Sequence, residues 1–284
     1  MEQPSWSGQQ AVSQGAILKR YIRFLIYVIR NFVIANRRFV RLSPFERGKI
    51  PFYDKRTKRF LHVSVRDHID SITADQVFTD SDYELRFLSR YDELVAFYGR
   101  TLSQNKTPLI IDCGANIGCS ALFFAREFPA AKLLAVEPER NNVEMIRKNC
   151  ASLNNVIAVN KAVGSVDGLV TIADPHCDNN AFRMTREPDG TGDIPVTSIE
   201  SLLSDYDQYV PFIIKIDIEG FEDDLFSANT SWIEKFPLMI IETHDWLLPR
   251  QANSSNFLKV ISATGRDFVH RSANVFSISN TIEM

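Results

Sequence analysis

Two hydrophobic rhythms divide the chain. Between Lys19 and Arg41, the apolar residues Tyr21, Ile22, Phe24, Leu25, Val28, Ile29, Phe32, Val33 and Phe39 are interleaved with Lys19, Arg20, Arg23, Arg30, Arg37, Arg38 and Arg41. At about 100° per residue the basic side chains fall within one sector about 100° wide and the apolar ones lie outside it, which predicts a strongly amphipathic helix. Its longest apolar run, Phe24 to Ile29, is far short of the roughly 20 residues that a bilayer span needs. Such a helix lies on an anionic membrane surface, binds a partner, or packs its apolar side on the protein's own body.

Beyond Pro108 the rhythm changes. Leu109 to Ile111, Lys132 to Val136, Val156 to Val163, Phe212 to Ile218 and Leu238 to Ile241 read as strands, several of them apolar throughout, as strands covered on both faces are. Cys119 to Phe128 and Glu139 to Cys150 read as intervening helices. The alternation predicts an α/β domain with a mostly parallel sheet. Residues 46–108 are less regular, with a strand at Phe60 to Val65 and a helix around Tyr83 to Tyr98. The expected division is a basic extension at 1–45, an accessory region at 46–108 and the main domain at 109–284. Asp174 to Asp193, rich in Pro, Asp, Asn and Gly, reads as a loop insertion.

Composition then removes whole classes. With 284 residues, 45% hydrophobic and 24% charged, the chain is neither a collagen-like repeat nor a multispan membrane protein. Cys113, Cys119, Cys150 and Cys177 form no CxxC pair, so a disulfide framework and a zinc site are not expected, and a reducing, cytoplasmic compartment is. The basic helix adds the alternative of peripheral attachment to a membrane. Residues 1–45 hold seven basic residues and one acidic residue, a net of +6, which leaves −9 for the rest. That body offers no extended basic groove for phosphates, so nucleic acid is not an expected partner.

The first chemical motif, Asp112-Cys113-Gly114-Ala115-Asn116-Ile117-Gly118, follows the first central strand, where ligands sit in open α/β sheets. Gly114 and Gly118 permit a sharp turn with the backbone close to a ligand. A dinucleotide fingerprint needs glycine where Asn116 stands, which argues against NAD. Asp112 suits an ammonium, and Asn116 with backbone amides suits a carboxylate, so the turn fits an amino acid joined to a nucleoside, the make-up of S-adenosylmethionine. Glu137 ends the next strand, 19 residues after Gly118, and is placed to accept from ribose hydroxyls.

Lys215-Ile216-Asp217-Ile218-Glu219-Gly220-Phe221-Glu222, followed by Ile240-Ile241-Glu242-Thr243-His244, completes a series. Taken in order with DxGANxG, Glu137-Pro138, Asn160-Lys161-Ala162-Val163-Gly164 and Val196-Thr197-Ser198-Ile199, these segments resemble the FkbM family of S-adenosylmethionine-dependent methyltransferases over roughly residues 76 to 280. The resemblance implies a class I methyltransferase (Rossmann-like) fold: a seven-stranded, mostly parallel sheet whose last strand runs antiparallel, with a final hairpin of Phe268 to His270 and Val275 to Ile278. It also implies O-methylation of a sugar, glycolipid or related small-molecule hydroxyl. On this reading the cofactor-binding residues are Asp112, Gly114, Asn116, Gly118, Glu137, Ala162 and Asp217.

Methyl transfer to an alcohol must remove a proton from a hydroxyl whose free pKa is about 16. Asp217, Glu219, Glu242 and His244 end two adjacent strands on the cofactor edge and are the candidate catalytic residues. Either His244 or a carboxylate is the general base, or Asp217 and Glu242, with His244 or Glu219, hold a divalent cation that acidifies the hydroxyl. Glu222 reads as an acid favoured by a helix dipole. Lys215, inside an apolar strand, needs a carboxylate partner. His176, Asn179, Asn180, Arg183 and Arg186 lie in the insertion, either solvated or reading an acceptor sugar or an anionic lipid head group. The rival function is a silent scaffold that keeps the methyltransferase fold and binds a partner or membrane through the basic helix. The joint presence of Asp112, Asn116, Glu137 and Asp217 argues against it.

Overall fold

The computed structural model describes residues 14–33, 37–172, 184–186 and 190–281. His176, Cys177, Asn179, Asn180 and Arg183 lie outside the described residues. Helix α1, Gln14–Val33, ends eight residues earlier than the basic periodicity predicts. Residues Phe39–Arg41 form strand β1, paired antiparallel with β2, Gly48–Asp54, which in turn pairs with β3, Arg59–Val65. Arg38 and Arg41 leave the helical sector because Arg38 is drawn to the buried carboxylates of Asp54 and Glu127 and Arg41 to half-buried Asp75. Arg38 Nη2 is 3.0 Å from Asp54 Oδ2 and its Nη1 pairs with Glu127, while Arg41 pairs with Asp75 and donates to Ser71 Oγ at 3.0 Å. A buried guanidinium requires such partners.

The expected boundary at residue 45 therefore falls within one sheet. Phe39, Phe52, Phe78 and Phe123 pack with ring centroids 5.1 to 6.2 Å apart, so residues from both sides of the expected boundary at 108 share a core. Helices α2, His68–Ala74, and α3, Tyr91–Ser103, follow. The helix expected from Tyr83 starts only at Tyr91. Tyr83, Leu85 and Leu88 are all buried, and their spacings of two and three do not lie on one helical face.

The main domain runs β4 Thr107–Cys113, α4 Cys119–Glu127, β5 Lys132–Val136, α5 Arg140–Asn149, β6 Val156–Val159, β7 Ala162–Gly164, β8 Gly168–Ile172, β9 Met184–Thr185, β10 Ile194–Ser198, α6 Ile199–Asp205, β11 Tyr209–Ile216, α7 Glu222–Leu225, β12 Leu238–Glu242, α8 Ser255–Ile261, β13 Arg266–Arg271 and β14 Asn274–Ser279. Its seven-stranded sheet has the order β13-β14-β12-β11-β4-β5-β6, with β14 antiparallel to both neighbours and the other pairings parallel. Period-two alternation splits the apolar runs between two cores. Ile110, Ile213 and Ile240 enter one, whereas Leu109, Ile111, Ile214, Ile216 and Ile241 enter the other. The single strand expected from Val156 to Val163 is broken at Asn160, whose amide donates to the carbonyls of Glu137 (3.0 Å) and Pro138 (2.8 Å). After the break β7 joins β10 in a smaller sheet.

Candidate active site

The turn after β4 is shaped by one close approach. Gly114 has φ +76°, and a Cβ there would sit 1.8 Å from the Asp217 carbonyl oxygen, so glycine alone lets this turn abut the end of β11. The Asn116 amide donates to Glu137 Oε2 at 2.8 Å. Glu137 Oε1 accepts from the Glu139 amide (3.1 Å) and Asn142 Nδ2 (3.2 Å). Three of a carboxylate's roughly four acceptor positions are thus taken inside the protein. Burial pushes Glu137 up to about 6 despite these donors.

Gly114, Asn116, Glu137, Lys161, Val163 and Asp217 line a cleft of about 510 Å³, counted with the space open to solvent at its mouth. Three residues expected there lie elsewhere. Ala162 is buried off the lining, because strand alternation presents Lys161 and Val163 instead. Gly118 packs α4 on α5, where a Cβ would meet the Ile146 backbone at 3.1 Å. Asp112 is fully buried and faces Lys215 across the β4–β11 register rather than the cleft. Its Oδ1 lies 3.1 Å from Lys215 Nζ and its Oδ2 accepts from Ser120 Oγ at 2.6 Å.

Lys215 has the carboxylate partner its burial demands, and a second besides. Its Nζ donates to the Gly114 carbonyl at 2.7 Å and lies 3.4 Å from Asp217 Oδ2. Burial opposes the ammonium, yet Asp112, Tyr83 and Asp217 hold its pKa well above the ordinary value.

A second cleft, about 930 Å³, shares Gly114, Asn116, Asp217 and Glu219 with the first. The four catalytic candidates meet on its wall. His244 Nε2 is 3.5 Å from both Asp217 Oδ1 and Glu219 Oε2, and 3.9 Å from Glu242 Oε1. On its other side, His244 Nδ1 is 2.7 Å from Glu222 Oε1. Glu222 is fully buried and also accepts from Asn253 Nδ2 at 2.6 Å, so it orients the imidazole and is more than a helix-starting acid. Burial opposes the imidazolium, but Glu222, Asp217 and Glu219 raise His244 to about 9. Burial followed by the Asp217 charge raises Glu219 to about 8 and Glu242 to about 7. Asp217, Glu242 and His244 each present a donor atom within 4.8 Å of the others, a set able to hold a cation.

Several lining or supporting residues were silent in the sequence. Glu222 and Asn253 act through partners 22 and 31 residues away, which no local spacing reveals, and Asn142 supports Glu137 from the helix that follows it. Trp246 stands two residues beyond His244, 70% exposed at the second cleft, its ring 6.2 Å from the imidazole. Arg186 is engaged by Asp224 at 2.6 Å rather than solvated. Cys113, Cys119 and Cys150 are buried free thiols.

The sheet order, the antiparallel penultimate position and the cleft at the ends of β4, β5 and β11 define a class I methyltransferase fold. The profile described as Methyltransferase FkbM domain matches residues 112–268, more than half the chain, and the protein belongs to that methyltransferase family. A curated relative, Methyltransferase sdnD of Sordaria araneosa, is 32% identical over 88 residues, which cover 31% of this chain and 27% of the relative. Among solved structures, a candidate caffeoyl-CoA O-methyltransferase from Staphylococcus aureus aligns over 74% of this chain and 92% of its own at 13% identity and TM-score 0.39. Precorrin-6y C5,15-methyltransferase from Geobacter metallireducens GS-15 aligns over 64% and 85% at 15% identity and TM-score 0.33.

Proposed function

We propose that this methyltransferase transfers the methyl group of S-adenosylmethionine to a hydroxyl of a saccharide, glycolipid or similar polyol. The observation that carries the reading is the wall shared by the two clefts, formed by Gly114, Asn116, Asp217 and Glu219. It suits a cofactor on one side and an acceptor on the other, with the reacting atoms between. The first cleft fits the cofactor: Glu137 keeps about one acceptor position for a ribose hydroxyl, and the Gly114 turn brings the Asp217 backbone against the same cleft. When bound, the cofactor supplies an activated methyl on a sulfonium.

The chain's own residues would then manage the acceptor. A sugar ring stacks on exposed Trp246, leaving its hydroxyls toward the carboxylates. Glu242 lines the second cleft and not the first, and a carboxylate raised to about 7 is matched to accept a proton near neutral pH. His244, raised to about 9, is charged under those conditions and serves better as a donor that steadies developing negative charge. With the cofactor bound, Glu242 would take the proton of the acceptor hydroxyl as its oxygen receives the methyl group. A second reading places a divalent cation between Asp217, Glu242 and His244, favoured by the way Glu222 aims Nε2 at both carboxylates.

The test is incubation with methyl-labelled S-adenosylmethionine and a panel of saccharide and amine acceptors. Label in an alkali-stable ether of a saccharide supports the reading; label in amines alone, or no cofactor binding by calorimetry, overturns it.

A further inference from the structure

Helix α1 meets the body through the half-buried Phe24, Tyr27 and Val28 and the buried Asn31, whose carbonyl accepts from Lys55 Nζ at 3.0 Å. The opposite side is open. Ile22, Leu25, Ile26, Ile29 and Val33 are 49% to 77% exposed and fall, at about 100° per residue, within one sector about 100° wide. Lys19, Arg23 and Arg30, all exposed, occupy the adjoining strip of about 40°.

The body extends this apolar face at both ends. At one, Phe45 (56% exposed) lies 6.4 Å from the Tyr21 ring; at the other, Phe32 stacks on Tyr53 at 5.2 Å, and Tyr53 meets exposed Phe60 at 5.3 Å. Arg47, Lys49, Lys58 and Arg59 are exposed beside these aromatics. An apolar stripe of this extent, rimmed by charge, marks an interaction surface.

We infer that α1, with Phe45 and Phe60, is a docking face for an anionic lipid bilayer. The charge pattern selects this occupant. No acidic residue stands between Glu2 and Glu46, so a second copy laid on the same helix would bring like charges together, whereas anionic head groups complement them. Among the described residues no helix is long and apolar enough to cross a membrane, so the contact is interfacial: apolar side chains enter the acyl boundary while Lys19, Arg23 and Arg30 reach phosphates. The inference stands apart from the assignment of cofactor and acceptor.

Co-sedimentation of the full chain with phosphatidylcholine vesicles, with and without phosphatidylserine, tests it. The protein is expected to pellet with the anionic vesicles, less so in high salt. Binding should weaken about tenfold or more in L25S/I26S/I29S and in R23E/R30E, whose altered side chains are exposed and whose circular dichroism should match wild type. Failure to pellet, or equal pelleting by the variants, overturns the inference. So does a dimer in sedimentation velocity that L25S/I26S/I29S dissociates, which would make the face an interface between copies.

Discussion

Glu222 Oε1 and His244 Nδ1 lie 2.7 Å apart, both buried, and this contact fixes which ring nitrogen faces the second cleft. The carboxylate can only accept, so Nδ1–H donates and Nε2 is turned toward Asp217, Glu219 and Glu242. Glu222→Ala leaves the ring without its clamp and is expected to lose about 3–5 kcal/mol in urea unfolding. Glu222→Gln keeps an acceptor and should recover most of that stability, while the His244 pKa, followed by NMR, falls from about 9.

Turnover should depend on Glu242 more than cofactor binding does. Glu242→Gln is expected to lower kcat about 10²–10⁴-fold, the usual contribution of a positioned base, with the calorimetric Kd for S-adenosylmethionine unchanged. Activity retained in EDTA supports proton transfer to Glu242; activity lost in EDTA and restored by one divalent metal supports the cation between Asp217, Glu242 and His244.

Glu137 links stability and cofactor affinity to pH in opposite senses. Its folded pKa of about 6 lies above the ordinary 4.5, so between those values the folded chain keeps a proton that the unfolded chain has lost. The stabilisation is full below the ordinary value and is lost as pH rises through about 6, an effect of about 2 kcal/mol. A ribose hydroxyl donates to the ionised form, so affinity rises with pH over the same window. Urea unfolding and calorimetry on either side of pH 6 should show both slopes, and Glu137→Gln should flatten them. Glu137→Ala should weaken cofactor binding about tenfold or more.

The Gly114 turn tolerates no side chain. Gly114→Ala would drive a methyl into the Asp217 carbonyl at a positive φ, and should cost about 1–3 kcal/mol or more in urea unfolding and displace Asp217 from both clefts.

The central strands were legible in the sequence because apolar runs between glycine turns leave few alternatives, and Glu137 was legible because it ends such a run. Parity was harder. Ala162 was expected at the cofactor, but alternation along this segment presents its neighbours Lys161 and Val163 to the cleft and buries Ala162. Arg37, Arg38 and Arg41 prolong a helical pattern on paper, and only the fold brings Asp54, Glu127 and Asp75 to the latter two. Glu222 has a sufficient local explanation at a helix start, so nothing in its neighbourhood points 22 residues onward to His244.

Lys215 gives the two clefts a common hinge pin. One ammonium holds the Gly114 carbonyl on the cofactor turn, Asp112 beneath it and Asp217 on the shared wall. A shift that eased one ligand into place would pull on the seat of the other. Ligands in the two clefts are therefore expected to bind with a coupling free energy, each altering the other's affinity by the same factor, and the strength of that reciprocity is set by one buried side chain bonded to the seats of both.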